Sequence, residues 1–524
     1  MKSMKRLLGL ALAALLLLSL PLAAGAHEAP DLTKADVSDP DKYPIISFGG
    51  GFHPLYADDE AGEPRAVFDT AAMGPALDTG IPEMMGAALK MNLNGFVDAL
   101  KGVVEEVFGE AYMDEDGESV LPGVHANITP EWTNPALRYM YDDEYIRQKV
   151  VTWGCDWRLD PLENAVKARE YMQWIKTQRP EVEKFNLVAF SGTCSVLLAY
   201  LHLFPEDIGI EVASVVFQVS THRGTTMFGQ MAKGDYWIDS RALGHTRGIG
   251  FFYMDLTSLH PLLRLAYETG LLDAFLTIGA LMQIPIKGRM YDEIITPALF
   301  HMPGMWIYVP RKDFSEAKSF LFKGSGKYAK LVDKLDSYYE MSLHDEALIL
   351  AAAEHVKVGV RAGYGFCMTP VGAGTDVQGD YVVDTRYASL GAACAPMGVP
   401  FKRNYRQAKP GENGRGYVSP DRLVDASTCL LPDRTWFAKY RLHDDPDTYG
   451  GWIDWFLETD EPTVFGSADF PQFAERLDAD VYVPVEAPTP LEEAGIALDS
   501  AVSRAMALLR RVLLLPLFWT KWVL

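Results

Sequence analysis

A serine stands where an apolar strand gives way to an apolar helix. Residues 185–190 (FNLVAF) have the composition of a buried strand, and residues 195–204 (SVLLAYLHLF) have that of a helix. Ser191 and Gly192 lie at the turn between them. A serine at such a turn holds its hydroxyl above the edge of a sheet, and the helix N-terminus stabilises negative charge there. The pattern predicts that Ser191 is a nucleophile. The alternative is a serine that only caps the helix.

The neighbours of this serine follow the usual form of such a turn only in part. The positions two before and two after the serine must be small, and glycine is usual there, because the strand and the helix approach closely. Here they are Ala189 and Thr193. Alanine meets the requirement, whereas threonine is bulkier.

A serine nucleophile needs a base, and the base needs a carboxylate that orients it. Where the serine follows a strand in this way, the chain order is serine, acid, histidine. His443 is the only histidine after His355, so elimination predicts His443 as the base. The alternative for His443 is a solvated histidine in a polar loop.

For the acid, the sequence favours Asp421. It follows a glycine-rich stretch at residues 411–420 and precedes a short apolar segment, which places it near a strand end at the entry to a loop. Asp425 and Asp433 are competitors nearby. The alternative for Asp421 is a residue that caps a turn or a helix.

Two glycines are candidates to stabilise the negative charge that develops on a carbonyl oxygen. That stabilisation requires two backbone N–H groups aimed at the oxygen. Gly192 follows the nucleophile, and Gly51 ends a run of three glycines that follows the predicted strand at residues 43–48. A glycine-rich loop can also bind phosphate, but neither of the common phosphate-binding spacings follows here.

Strands and helices alternate around these residues. Strands are predicted at 43–48, 185–190 and 212–219, and apolar residues on one face predict a helix at 162–177. Such alternation predicts an α/β fold with a mostly parallel sheet flanked by helices. Within residues 236–300, an apolar run is interrupted by three charges, which predicts one or two amphipathic helices. These helices either pack on the core or form a lid over an apolar site.

The two ends of the chain differ from its centre. Residues 1–26 combine three basic residues, an apolar stretch and small residues, which predicts a secretory signal peptide and a secreted, lumenal or cell-envelope protein. An uncleaved anchor is the alternative. Residues 27–470 are predicted to form the main domain. Residues 471–524 form a C-terminal extension with a basic, aromatic, amphipathic segment, suited to a membrane surface or to docking on the fold.

The net charge and the cysteine spacing of the chain argue against two kinds of ligand, nucleic acid and structural zinc. The chain has 524 residues and a formal net charge of -22, so nucleic acid is a poor partner. The five cysteines show no spacing typical of a structural zinc site. A reaction that uses a serine, a histidine and an aspartate requires no metal or organic cofactor.

Several segments resemble the lecithin:cholesterol acyltransferase family, which includes lysosomal phospholipase A2 and phospholipid:diacylglycerol acyltransferase. The likeness is spread over residues 43–457 and covers about four fifths of the chain. Its segments are 43–56 (YPIISFGGGFHPLY), 155–158 (CDWR), 185–204 with the serine turn, 219–229 (VSTHRGTTMFG) and 419–427 (SPDRLVDAS). Asp-Trp-Arg at 156–158 is the most specific match.

The resemblance implies an α/β-hydrolase fold with a helical lid or cap at about residues 236–300. It places the catalytic acid of the family at Asp421 and its histidine at His443. It also implies a serine-dependent acyltransferase or phospholipase A that cleaves a glycerophospholipid ester through an acyl-serine. The acyl acceptor would be a lipid alcohol or water, at a membrane or lipoprotein surface. Alternatives are a catalytically inactive lipid-binding relative, suggested by Ala189, Thr193 and Pro420, and a secreted esterase or lipase that uses water.

Overall fold

The computed structural model describes residues 43–48, 51–69, 73–127, 150–235, 238–245, 260–411, 414–443, 451–478, 481–491 and 494. The predicted signal peptide and the basic part of the C-terminal extension lie outside these residues. So do Gly49 and Gly50 of the predicted glycine loop.

Strands of two kinds occur in the described part of the chain: those of one large sheet and those of three small two-stranded sheets. In chain order they are β1 (Ile45–Ser47), β2 (Leu55–Asp58), β3 (Pro64–Phe68), β4 (Val150–Thr152), β5 (Phe185–Phe190), β6 (Val212–Gln218), β7 (Lys357–Tyr364), β8 (Phe366–Cys367), β9 (Gln378–Gly379), β10 (Ala393–Cys394), β11 (Val424–Asp425), β12 (Thr435–Lys439), β13 (Phe473–Asp478) and β14 (Val481–Pro484).

Within the described residues, eight strands form the large sheet in the order β14-β13-β12-β7-β6-β5-β1-β4. Neighbouring strands pair in parallel, except that β14 pairs antiparallel with β13 at one edge. Helices flank this sheet, so the predicted α/β class with a mostly parallel sheet is confirmed. The arrangement is compatible with an α/β-hydrolase-like fold.

The sheet extends beyond the domain boundary that the sequence predicted. β13 and β14 lie after residue 470, yet β13 pairs with β12 and therefore completes the sheet. The boundary predicted at residue 470 is wrong. Its error has a physical cause, because β13 (FAERLD) is an edge-proximal strand with charged residues and lacks the apolar run of a central strand.

Helices connect the strands and flank the large sheet. The α-helices are Met73–Leu89, Leu93–Phe108, Pro161–Gln178, Thr193–Leu203, Thr226–Ala232, Ser240–His245, His260–Glu268, Leu271–Gln283, Lys287–Met290, Phe314–Phe322, Ala329–Ser342, Asp345–Ala353, Thr385–Ala388 and Trp452–Glu458. A π-helix spans Tyr291–Phe300, and 3₁₀ turns span Gly109–Ala111, Pro205–Asp207, Pro303–Tyr308, Arg311–Asp313, Gly326–Tyr328, Ala426–Thr428 and Pro432–Arg434.

β5 lies in the core. Its apolar residues do not alternate with polar ones, as is typical of a strand that is buried on both faces of a sheet. The helix Thr193–Leu203 follows β5 directly and is buried over most of its length. The helix Pro161–Gln178 packs beside it. Its buried face contains the residues that the sequence placed together: Ala165, Ala168, Met172 and Ile175.

In the region of the predicted insertion, the structure has two successive helices, His260–Glu268 and Leu271–Gln283. They agree with the amphipathic helices that the sequence predicted. Together with the next residue, Ile284, they expose four large aliphatic side chains. These are Leu262, Leu265, Leu271 and Ile284, each with more than half of its surface exposed. In the part of the chain that is described, none of the helices has both the length and the apolar character needed to span a bilayer.

Candidate active site

Ser191 occupies the tight turn between β5 and the helix Thr193–Leu203. Its φ angle is 55°, in the left-handed region that residues other than glycine rarely adopt. Three hydrogen bonds hold this backbone. The Ser191 N–H donates to the carbonyl of Gln218 at 2.9 Å, and the Ser191 carbonyl accepts from Cys194 at 3.2 Å and from Thr221 at 3.3 Å. Such strain persists only where the surrounding contacts impose it, and it is typical of functional sites.

Thr193 fits this turn, although glycine is usual at its position. Its hydroxyl donates to the carbonyl of Phe190 at 2.8 Å and accepts from the Phe190 N–H at 3.0 Å. The side chain is buried, with 2% of its surface exposed. The threonine therefore closes the turn with its own hydroxyl, and its bulk does not keep the strand from the helix.

The structure brings Ser191 and His443 into contact. His443 lies four residues after β12, and its Nε2 is 2.8 Å from the Ser191 Oγ. Both residues are almost fully buried. The sequence predicts Ser191 from the turn between a strand and a helix, and His443 because no other histidine follows His355. The observed geometry is that of a serine next to a general base.

The carboxylate that contacts His443 is Asp380. Its Oδ2 lies 3.0 Å from the Nδ1 of His443. Since Nε2 faces Ser191, both ring nitrogens of His443 have partners in the order that a serine nucleophile requires. The prediction that Asp421 meets His443 is therefore wrong.

Asp421 stabilises its own turn. Its Oδ1 accepts a hydrogen bond from the Ser419 hydroxyl at 2.6 Å and from the Leu423 N–H at 3.2 Å. Its Oδ2 accepts from the Tyr364 hydroxyl at 3.3 Å and lies 3.2 Å from the Lys439 ammonium. This is the turn-capping role that the sequence left open as the alternative.

The two competing acids are also engaged elsewhere. Asp425 accepts hydrogen bonds from the Tyr405 hydroxyl and the Ala408 N–H, both at 2.8 Å. Asp433 accepts from the Tyr417 hydroxyl. Neither contact places a carboxylate on His443.

Asp380 is held firmly in the position that faces the imidazole. Its Oδ1 accepts from the N–H groups of Val382 at 3.0 Å and Val383 at 2.8 Å, which leaves Oδ2 for His443. A second link joins the same two residues, because the His443 N–H donates to the Asp380 carbonyl at 3.2 Å. Gly363 in β7 permits this approach. A Cβ at that position would lie 2.8 Å from the Cβ of Asp380.

The three residues come from adjacent parts of the sheet. Ser191 follows β5, Asp380 follows β7 and the short β9, and His443 follows β12. The carboxyl ends of parallel strands meet at one edge of a sheet, where the binding sites of open α/β sheets are found. The parallel order β12-β7-β6-β5 is therefore what gathers three residues that are far apart in sequence.

Gly51 and Gly192 line one small pocket beside the serine turn, together with Cys155, Thr193 and Tyr308. The pocket has a volume of about 20 Å³, which is room for about one water molecule. Gly51 has a φ angle of 66°, which favours glycine. Among the described residues, neither glycine N–H donates to another protein atom.

The Asp-Trp-Arg segment supports the loop that carries Gly51. The indole N–H of Trp157 donates to the His53 carbonyl at 3.1 Å, and its ring packs edge-on against Phe52 with centroids 4.8 Å apart. On either side of Trp157, Arg158 and Asp156 form a buried bidentate ion pair with N–O distances of 2.9 and 2.7 Å. The ion pair between Arg158 and Asp156 thus holds the backbone on both sides of Trp157, whose side chain contacts the loop that contains Gly51.

Two cysteines near the serine are not activated. Burial raises the pKa of both the Cys155 and the Cys194 thiols to about 12. A thiol with such a pKa is neutral at physiological pH and a poor nucleophile. Ser191, which has a base within hydrogen-bond distance, is the nucleophile that this geometry favours.

No protein-family model matches the chain, and no curated protein matches it in sequence.

Proposed function

We propose that the chain is a serine hydrolase or acyltransferase of the α/β-hydrolase type that acts on lipid esters through an acyl-serine intermediate. The observation that carries this proposal is the chain of contacts from Ser191 Oγ to His443 to the Asp380 carboxylate. The order serine, acid, histidine along the chain is the one that this fold uses. Asp380 has the role that the sequence analysis predicted for Asp421.

The reaction follows from these contacts. His443 Nε2 takes the proton of the Ser191 hydroxyl as its oxygen attacks the ester carbonyl, and the carbonyl π electrons move to the oxygen. Asp380 keeps the proton on Nδ1, so Nε2 is free to accept, and it stabilises the imidazolium that forms. The N–H groups of Gly51 and Gly192 would bind the oxyanion, each worth about 3 kcal/mol of barrier.

The intermediate then collapses to an acyl-serine. The bond to the leaving alcohol breaks, and this alcohol takes the proton from His443. A second acceptor is deprotonated by His443 and removes the acyl group from Ser191 by the reverse steps. If the acceptor is water, the enzyme is a phospholipase. If it is a lipid alcohol, the enzyme is an acyltransferase.

Two features support a lipid substrate. One is the resemblance of the Asp-Trp-Arg segment and the serine turn to the lecithin:cholesterol acyltransferase family. The other is the insertion, whose helices expose Leu262, Leu265 and Leu271. Large exposed aliphatic side chains on adjacent helices are typical of surfaces that meet lipid or another apolar partner. In this proposal the insertion acts as a lid or cap at the lipid surface.

A second candidate is an esterase for small soluble esters that uses water as the acceptor. The small volume of the pocket between Gly51 and Gly192 favours it. Rates on monomeric and vesicular esters of the same acyl chain distinguish the two, because a lipid-acting enzyme is faster on vesicles.

A fluorophosphonate probe tests the central claim, because it reacts with activated serines. We expect one label per chain, lost in Ser191→Ala. The matched control is Ser195→Ala, since Ser195 is a buried serine in the helix that follows Ser191. Absence of labelling in the wild type, or labelling that persists in Ser191→Ala, refutes the proposal. Product analysis with labelled phosphatidylcholine, a sterol and a diacylglycerol then identifies the acceptor.

A further inference from the structure

Tyr308 has its hydroxyl beside the residue that follows the nucleophile. It ends the 3₁₀ turn Pro303–Tyr308, and most of its side chain is buried. A Cβ built on Gly192 would lie 2.6 Å from the Tyr308 hydroxyl oxygen. Tyr308 also lines the small pocket with Gly51 and Gly192. The hydroxyl therefore lies in the immediate surroundings of the two N–H groups that would bind an oxyanion.

The position of this hydroxyl is fixed by the residues around it. The ring stacks on Phe228 with centroids 4.9 Å apart, and the Tyr308 carbonyl accepts from the Thr225 N–H at 2.8 Å. At the other end of the turn, the Gly304 N–H donates to the Arg158 carbonyl at 2.8 Å. A Cβ on Gly304 would lie 2.1 Å from the Trp157 carbonyl oxygen, so the turn is packed tightly against the Asp-Trp-Arg segment.

The Tyr308 hydroxyl is available to donate a hydrogen bond to a bound group. Among the described residues, it makes no hydrogen bond to another protein group. Burial raises the pKa of Tyr308, so the hydroxyl keeps its proton at neutral pH. Because Tyr308 lines the pocket, a group bound there can supply the acceptor that its hydroxyl lacks among the described residues.

We propose that the Tyr308 hydroxyl donates a hydrogen bond to the oxyanion that forms when Ser191 attacks the ester carbonyl. It would be a third donor beside the N–H groups of Gly51 and Gly192, and it would keep its proton throughout. The inference rests on the proposed function, since it requires that Ser191 is the nucleophile. It also gives a reason for glycine at position 192, because a side chain there would meet the hydroxyl.

Tyr308→Phe tests this role, because it removes one oxygen and keeps the ring. We expect kcat to fall by about 10² while KM changes by less than about threefold, as for other oxyanion donors. Affinity for a trifluoromethyl ketone, which forms a serine-bound oxyanion, should fall by a similar factor. The matched control is Tyr338→Phe. Tyr338 is also buried, but it does not line the pocket, so its loss should leave kcat unchanged.

The rate of fluorophosphonate labelling separates this inference from the proposed function. We expect Tyr308→Phe to be labelled completely but about 10² times more slowly than the wild type. Complete labelling shows that the variant is folded and that its serine is activated. Equal labelling rates and equal kcat in the two proteins overturn the inference and leave the proposed function standing. Absence of labelling in the wild type overturns both.

Discussion

The substitution Asp380→Asn tests the site most directly, because the sequence predicts Asp421 as the aspartate that orients His443 and the structure shows Asp380. Asp380 is fully buried and holds the imidazole through Nδ1. In Asp380→Asn, the amide oxygen keeps the hydrogen bonds from Val382 and Val383, and the amide nitrogen then faces the ring. An NH₂ group there donates to Nδ1 and places the imidazole proton on Nε2.

The size of the effect follows from this change of tautomer. With its proton on Nε2, His443 cannot accept the proton of Ser191, although the geometry is preserved. A comparable substitution in serine proteases costs about 10⁴ in kcat. We expect kcat to fall by about 10³ to 10⁴, which corresponds to about 4–5.5 kcal/mol of transition-state stabilisation. KM should change little, because Asp380 does not meet the substrate.

The assay is steady-state hydrolysis of a chromogenic ester, with Asp421→Asn as the matched control. The control contacts neither ring nitrogen of His443, so its kcat should stay within about threefold of the wild type. Circular dichroism and thermal unfolding show that both variants are folded. A large loss in Asp421→Asn together with a small loss in Asp380→Asn would refute the assignment.

Two further substitutions test how the segment near the serine is stabilised. Burial raises the pKa of Asp160 to about 6 from its ordinary 3.8, so its carboxylate lowers the free energy of unfolding as the pH rises through this range. Asp160 caps the helix Pro161–Gln178 by accepting a hydrogen bond from the Leu162 N–H at 2.7 Å. Because asparagine caps a helix equally well, Asp160→Asn should raise the free energy of unfolding by about 2–3 kcal/mol at pH 8 and leave it unchanged at pH 3. Arg158→Met leaves the buried carboxylate of Asp156 without its partner, and it should lower the free energy of unfolding by about 3–5 kcal/mol.

Urea denaturation at several pH values measures both effects. For Asp160→Asn, a gain that does not depend on pH would contradict the role given to burial. For Arg158→Met, the control is the double variant with Asp156→Asn, which removes the unpaired charge and should recover part of the loss. Equal losses in the single and the double variants would show that the ion pair is not the source of the effect.

The sequence predicts the two site residues that either lie in a recognisable local pattern or have no competitor of the same type. Ser191 stands between a strand and a helix that are both strongly apolar, and His443 is the only late histidine. Asp380 has no comparable signal, since it is one of three aspartates at four-residue spacing, with Asp376 and Asp384. What distinguishes it is tertiary: Gly363 admits its loop to the sheet, and β12 lies beside β7.

The sequence of β7, the strand of the large sheet that comes before Asp380 in the chain, is also not typical of a central strand. β7 (KVGVRAGY) contains Lys357 and Arg361, and charges argue against a central strand. In the structure, Arg361 is buried, and its guanidinium lies over the rings of Trp452 and Tyr482 at 5.1 and 5.0 Å. Cation–π contacts with aromatic residues from distant parts of the chain thus stabilise the Arg361 guanidinium within the sheet. Such compensation is not visible in the sequence around β7.

The hydroxyl of Thr193 also has a consequence for protein engineering. It makes two hydrogen bonds to the backbone of Phe190, one as donor and one as acceptor. The substitution Thr193→Gly would introduce the common glycine, but it would remove the two hydrogen bonds that hold the end of β5 to the start of the helix Thr193–Leu203. Substitution toward the more frequent residue would therefore loosen the turn that carries Ser191, and the safer changes are those that keep both hydrogen bonds between Thr193 and Phe190.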